Sequence, residues 1–244
     1  MGRAASVLGG LGPRALAFVA LAAALIAYYY AVDSIPALST WWDVTLLVLG
    51  LIPAVFLLVL LVLPLARARG LLPLALALGV LALLAELGDL KVLGNFSKLA
   101  AVTFFAFWFL NLFEELVLLV IVALIIPWVD AYSVFRGPTG EIVEKHPQVF
   151  THLSFGFPLP GDQTARLGLP DLLFFALFLA ATLHYRLRPG WTWLGMVALL
   201  GATVAIAEWS DLAGLPALPA LSLGFLLPNA DLIWARLRSR PRAA

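Results

Sequence analysis

Long apolar runs broken by short polar punctuation dominate the chain. They fill about 14–32, 44–65, 71–88, 97–112, 115–135, 170–186, 191–208 and 215–235, with charged or turn-forming residues between them. The runs neither alternate with period two nor form a single helical stripe, so they predict helices that are apolar on every side. Crossing the hydrocarbon core takes about 20 apolar residues, and each run comes near that length. The pattern predicts an all-α polytopic membrane protein with about eight transmembrane helices. The fourth and fifth runs are separated only by Asn111–Leu112–Phe113–Glu114–Glu115, which leaves open one long broken helix. The one long connection is roughly 136–168, and no internal repeat is evident. Residues 1–113 form an N-terminal bundle of about four spans. Residues 114–244 carry the spans 115–135, 170–186 and 215–235, and the two parts make one membrane domain.

Composition narrows the function classes. Of 244 residues 63% are hydrophobic and 12% charged, with a mean hydropathy of +1.03. Soluble domains carry about 25% charged residues, so no room remains for a separate soluble domain. The chain has no cysteine, which excludes disulfides, thiolate chemistry and cysteine-ligated metals. A net charge of +1, with basic residues at span ends and no continuous patch, gives no case for nucleic acid. His146, His152 and His184 show no ligand spacing, so neither a metal nor a cofactor is expected. The HExxH motif is absent, and no Ser/His pair lies at matched depth. The run from Ala15 to Val32, preceded by Arg3 and Arg14, exceeds the roughly 7–15 residues of a secretory h-region and reads as a first span.

Basic residues set the direction of crossing. With a cytoplasmic N-terminus, the cytoplasmic segments carry Arg3, Arg14, Arg67, Arg69, Arg186, Arg188, Arg236, Arg238, Arg240 and Arg242. The outer segments carry only Lys91, Lys98, Arg136, Lys145 and Arg166. This asymmetry predicts both termini in the cytoplasm. Trp41, Trp42, Trp128, Trp191, Trp193, Trp209 and Trp234 fall near span ends, as an aromatic belt would.

Two acids lie where acids are costly. An ionisable group inside a span costs at least about 2.5–3.5 kcal/mol, so each needs a reason to be there. Asp130 precedes Arg136 by six residues near the outer end of the fifth span; Asp171 follows Arg166 by five at the outer start of the sixth. At about 1.5 Å per residue the two come to nearly the same level on consecutive antiparallel spans. Such a pair can share one proton, because two adjacent charges in a poor dielectric cannot both persist. One ionised and one protonated carboxyl group can activate water and protonate an oxyanion. The plainer alternative is that either acid caps a helix or reaches the interface.

The surrounding residues carry a resemblance. Asp130–Ala131–Tyr132–Ser133–Val134–Phe135 resembles the stretch after the first catalytic aspartate of the presenilin and signal peptide peptidase family, especially its prokaryotic members. Gly168–Leu169–Pro170–Asp171 resembles its Gly-x-Gly-Asp motif, and Leu215–Pro216–Ala217–Leu218–Pro219 resembles the Pro-Ala-Leu motif that opens the last span. All three occur in the family's order. The resemblance covers roughly 115–235 and implies a presenilin-like helix arrangement in the cell membrane. It implies a membrane-embedded aspartyl protease that cleaves single-span helices or remnant signal peptides. Asp130 and Asp171 would be its catalytic pair, with Gly168, Pro216, Ala217 and Leu218 contacting substrate. Val129 stands where the family usually has Tyr, Pro170 replaces the second glycine, and eight spans stand where the family has nine. Pro219–Ala220–Leu221 is an overlapping second Pro-Ala-Leu.

A substrate helix must be unwound before its peptide bonds can be attacked, and pairing with exposed enzyme backbone would satisfy the freed groups. The stretches 153–160 and 215–219 are the candidates. Two other functions remain open: a transporter or channel with the aspartates on an ion path, and a protease-derived protein that binds membrane helices without cutting. Glu114 and Glu115 read as a charged turn, and Glu86 and Asp89 as interfacial. Glu208 and Asp211 read as a solvated outer turn, and Asp231 as an ion-pair partner of Arg236.

Overall fold

The computed structural model describes residues 12–136, 147–210 and 215–238. Each of the eight apolar runs coincides with a helix. Helix α1 is Pro13–Ala31, opened by a proline at its first position, where no N–H is needed. Helix α2 runs over Thr40–Arg67. Helices α3, Leu71–Leu87, and α4, Lys91–Phe109, form an antiparallel pair joined at Gly88 and Asp89. Helix α5 is Leu116–Arg136, and a short α6, Pro147–His152, leads into strands β1, Ser154–Leu159, and β2, Gln163–Gly168. Helices α7, Leu169–His184, and α8, Pro189–Trp209, follow, and the last apolar run is α9, Leu218–Leu226, continued after a 3₁₀ turn by α10, Ala230–Arg238. Six helical stretches are long and apolar enough to cross a membrane, and α3 and α7 are shorter apolar helices. The chain is thus a multi-pass helical membrane protein. The fourth and fifth spans are separate helices, because a 3₁₀ turn at Leu110–Leu112 and extended backbone at Phe113 end α4.

Helix α7 lies at the centre of the bundle. Its residues Phe175 to Ala181 are all at most 1% exposed. Phe175 meets Phe56 of α2 with ring centroids 4.0 Å apart, and Phe178 stacks on Phe225 of α9 at 4.9 Å. The core therefore runs across both halves of the chain. Helix α5 is peripheral, burying only Leu116, Leu119 and Ala123, while Leu118, Ile121, Leu124, Ile125 and Trp128 are exposed. In a bilayer such side chains face lipid, which imposes no hydrophobic penalty on them.

Two local features fix the bundle. Within α2, Leu46–Leu51 is a π turn in which the Ile52 N–H donates to the Leu47 carbonyl. Pro53 follows and lacks the N–H that would serve the ordinary ladder, so the wider turn absorbs the break. Helices α8 and α9 touch backbone to backbone: a Cβ on Gly224 would sit 2.5 Å from Met196 Cα, and one on Gly195 would sit 3.0 Å from the Gly224 carbonyl oxygen.

Polar groups tie the start of α8 to the end of α9 and the start of α10. Asn229 is fully buried; its Oδ1 accepts the Arg188 N–H at 2.9 Å, and its Nδ2 donates to Thr192 Oγ1 and the Phe225 carbonyl, both at 2.7 Å. Arg188 also clasps Asp231 with two hydrogen bonds of 2.7 and 2.6 Å. Asp231 thus pairs with Arg188 and not with Arg236, because the 3₁₀ turn at Leu227–Asn229 brings the start of α10 beside the start of α8. Asn229→Ala strands the Thr192 hydroxyl and the Arg188 N–H in the interior, and is expected to destabilise the fold by about 2–4 kcal/mol. Thermal unfolding in detergent checks this; an unchanged midpoint refutes it. Arg14 and Arg67 cap other helix ends through the Leu60, Leu61 and Leu183 carbonyls. Arg3, Lys145, His146, Asp211, Arg240 and Arg242 lie outside the described residues.

Candidate active site

Asp130 sits one and a half turns before the end of α5, on the side that meets the start of α9. Its Oδ2 accepts the Leu218 N–H at 3.0 Å. Ala217 is the N-cap and Leu218 the first residue of α9. The first N–H groups of a helix have no partner within it, and their positive end attracts an anion. Ala217 offers no side-chain oxygen for the task. Asp130 supplies it from another helix, so the fifth and last spans are joined at this point. Pro216 precedes the cap, and Pro219 occupies the second helical position, where its missing N–H costs nothing.

Asp171 is the third residue of α7, whose N-cap is Gly168. Its carboxylate turns back toward the Gly168 backbone. The N-cap backbone has φ −59° and ψ 143°, ordinary for any residue. What glycine supplies here is room: a Cβ would lie 3.1 Å from Asp171 Oδ2. Pro170 occupies the second helical position and removes an N–H that the helix cannot use. The departure from a second glycine is therefore absorbed by the helix start.

The two acids are both partly buried, and their carboxylates lie within electrostatic reach of each other. Among the described residues no hydrogen bond joins them, and the backbone donor of Asp130 is the Leu218 N–H. Of the four positions carried over from the motifs, Gly168 lies beside Asp171 and Leu218 holds Asp130, with Pro216 and Ala217 immediately before Leu218. No known protein family, curated protein or solved structure matches the chain.

The connection read as 136–168 contains more structure than an all-α reading expects. Strands β1 and β2 form an antiparallel hairpin with Ser154 opposite Gly168 and Leu159 opposite Gln163. Its turn uses Gly161 and Asp162, both at positive φ, of 77° and 60°. Strand β2 runs directly into α7, so the hairpin aims Asp171. Phe155 and Phe157 of β1 are buried, at 0% and 2% exposure, in the same core as α7.

Charged groups pin the start of the hairpin. Lys98 Nζ meets Glu86 Oε1 at 2.6 Å and donates to the Ser154 carbonyl at 3.0 Å, and His152 Nδ1 lies 3.0 Å from Glu86 Oε2. Glu86, read as an interfacial charge, is thus a partly buried ion-pair centre, and His152 is its partner. Partial burial lowers the affinity of the Arg166 guanidinium for its proton, and the Glu86 carboxylate opposes this. Glu208 is exposed in the last turn of α8 and not in a connecting turn. Tyr28, Tyr29, Asn95 and Lys98, which hold the hairpin, are not legible as functional in the sequence. Asn95 lies just before the apolar run 97–112, among Lys91, Ser97 and Lys98.

Proposed function

We propose that the chain is an intramembrane aspartyl endopeptidase that cleaves transmembrane helices or remnant signal peptides. The observation that carries this reading is the Asp130 carboxylate on the Leu218 N–H, with Asp171 within electrostatic reach. It gathers at one point the three motifs that resemble the presenilin and signal peptide peptidase family. In the reaction one carboxylate takes a proton from water as the oxygen attacks the scissile carbonyl. The other carboxyl group donates its proton to the developing oxyanion, and the roles reverse when the diol collapses. The Leu218 N–H holds Asp130 in place while it exchanges protons.

The reading includes eight crossings, both termini in the cytoplasm of a prokaryotic cell, and a site near the outer face. There the hairpin side admits water. An unwound substrate segment pairs with backbone beside the acids. Strand β1 is unsuited to this, because its outer carbonyls already have side-chain donors; β2 is the better edge. A second reading, a protein that holds membrane helices without cutting them, draws on the fact that Asp130 already caps the start of α9. The two readings part in one experiment. Purified protein is incubated with a fluorescent single-span peptide, with and without a hydroxyl-bearing mimic of the tetrahedral diol. The protease reading expects two product fragments and their loss with the mimic. An intact peptide that stays bound supports the holding reading instead.

A further inference from the structure

We infer that Ser222 of α9 and the Ala123 carbonyl of α5 together hold a water molecule one helical turn beneath the two acids. The use of that water in hydrolysis rests on the proposed protease reading; the site itself does not, and is tested apart from cleavage.

Pro127 lies inside α5, and the helix runs on through it. Proline has no N–H, so the carbonyl four residues earlier, at Ala123, loses its donor in the helix ladder. Within a membrane such a freed carbonyl is satisfied by a Ser or Thr of a neighbouring helix or by an ordered water. Ala123 is fully buried and lies seven residues before Asp130, on the face of α5 that packs against α9. Helix carbonyls point toward the C-terminal end, so this one is aimed toward the level of Asp130.

Ser222 supplies the matching hydroxyl. It is 1% exposed, and among the described residues its Oγ has no hydrogen-bond partner. A hydroxyl within a helix ordinarily turns to the carbonyl three or four residues back. Thr182 of α7 does so with Leu179 at 2.6 Å, and Thr203 of α8 with Leu199 at 3.0 Å. Ser222 does not. On α9, Gly224 faces α8, Phe225 faces α7 and the Leu218 N–H meets Asp130 of α5. At about 100° per residue Ser222 falls beyond Phe225 from Gly224, on the stripe of Leu218, and so faces the seam between α7 and α5. The stacked rings of Phe178 and Phe225 set the depth, because Asp171 and Leu218 each lie seven residues before them on helices that run the same way. Both acids thus share the level of Leu218, and Ser222 lies about 6 Å beneath it. Its Cα–Cβ bond tilts toward the start of the helix, and so toward the acids. Pro127 is three residues, or about 4.5 Å, below Asp130, close to the same depth. Two buried polar groups therefore converge from α9 and α5 without a direct bond between them. A water with two or more such partners belongs to the structure, and here it adjoins the space where hydrolysis consumes one.

The test is a cycle of Ser222→Ala, Pro127→Ala and the double variant, read first by thermal unfolding in detergent. A dry hydroxyl without a partner is a cost, and its removal would raise the unfolding midpoint. A hydroxyl that holds water is a support, so Ser222→Ala should lower the midpoint by roughly 2–4 °C. Pro127→Ala returns a donor to the Ala123 carbonyl, and in that background Ser222→Ala should lower the midpoint no further. Such non-additivity is expected of two groups that share one partner; a mere loss of packing at Ser222 would lower the midpoint equally in both backgrounds. Cleavage of a single-span peptide is read separately. Ser222→Ala should lower kcat roughly tenfold with KM unchanged, because the hydroxyl lies beneath the acids and not against the peptide. A raised midpoint for Ser222→Ala, or an equal drop in both backgrounds, overturns the inference. The expected midpoints in a protein that cleaves nothing remove the protease and keep the water site; cleavage by the wild type with additive midpoints does the reverse.

Discussion

Asp130→Asn or Asp171→Asn is expected to lower peptide cleavage by about 10³-fold or more, since an amide can neither take a proton from water nor return one. The amide keeps the volume and one acceptor oxygen. In Asp130→Asn that oxygen can still receive the Leu218 N–H, so thermal unfolding in detergent should scarcely move. This separates a chemical role from a capping one. If Asp130 only ties α5 to α9, the amide preserves the tie, and turnover survives. If both acids act as one unit, the double variant should be no slower than either single one, because removal of any member of such a unit already forfeits its effect. Turnover persisting in either amide variant ends the assignment.

The second large effect concerns the support of α9. Gly224→Ala places a methyl group against the Met196 backbone, with Met196 Cα at 2.5 Å and the Gly195 carbonyl carbon at 2.7 Å. Backbone cannot yield as a long side chain can, so α8 and α9 must separate. A loss of about 2–4 kcal/mol is expected, read from unfolding in mixed micelles. Since α9 carries the N–H that holds Asp130, cleavage should fall as well. Gly79→Ala is the control. It lies on the lipid-facing side of α3 with nothing within 4 Å of an added Cβ, and should be neutral or stabilising by up to about 1 kcal/mol. Equal effects at the two glycines would show that the α8–α9 contact is not what limits stability.

The helices are legible in the sequence because lipid leaves little choice: an apolar run of adequate length must satisfy its backbone internally, and the helix is how it does so. The pair Asp130 and Asp171 is legible for the converse reason, since an acid within such a run is costly and stands out. The hairpin is only half visible. The stretch 153–160 stands out for its prolines, but its pairing with 163–168 depends on Gly161 and Asp162 in left-handed conformations and on the side chain of Asn95, 61 residues from Gly156. Sequence proximity assigns Asp231 to Arg236, whereas the turn at Leu227–Asn229 delivers it to Arg188. Contacts made through a bend in the chain leave no mark at short spacing. Asn95 escapes a sequence reading because a polar residue at the start of a span, beside Ser97 and Lys98, looks like an ordinary span end and does not reveal what it faces.

The π turn at Leu46–Leu51 has a geometric consequence for the first quarter of α2. Widening one turn by a residue rotates everything beyond it by about 100° relative to a regular helix. The stretch Thr40–Thr45 is therefore phased independently of Ile52–Val62: it turns Asp43 and Val44 inward and sets Trp41 flat against Trp209, with ring centroids 5.7 Å apart. One proline, Pro53, thus acts as an angular offset between the two halves of a single rod. The rim of the protein can be aligned to α8 without disturbing the inner layer where Phe56 meets Phe175.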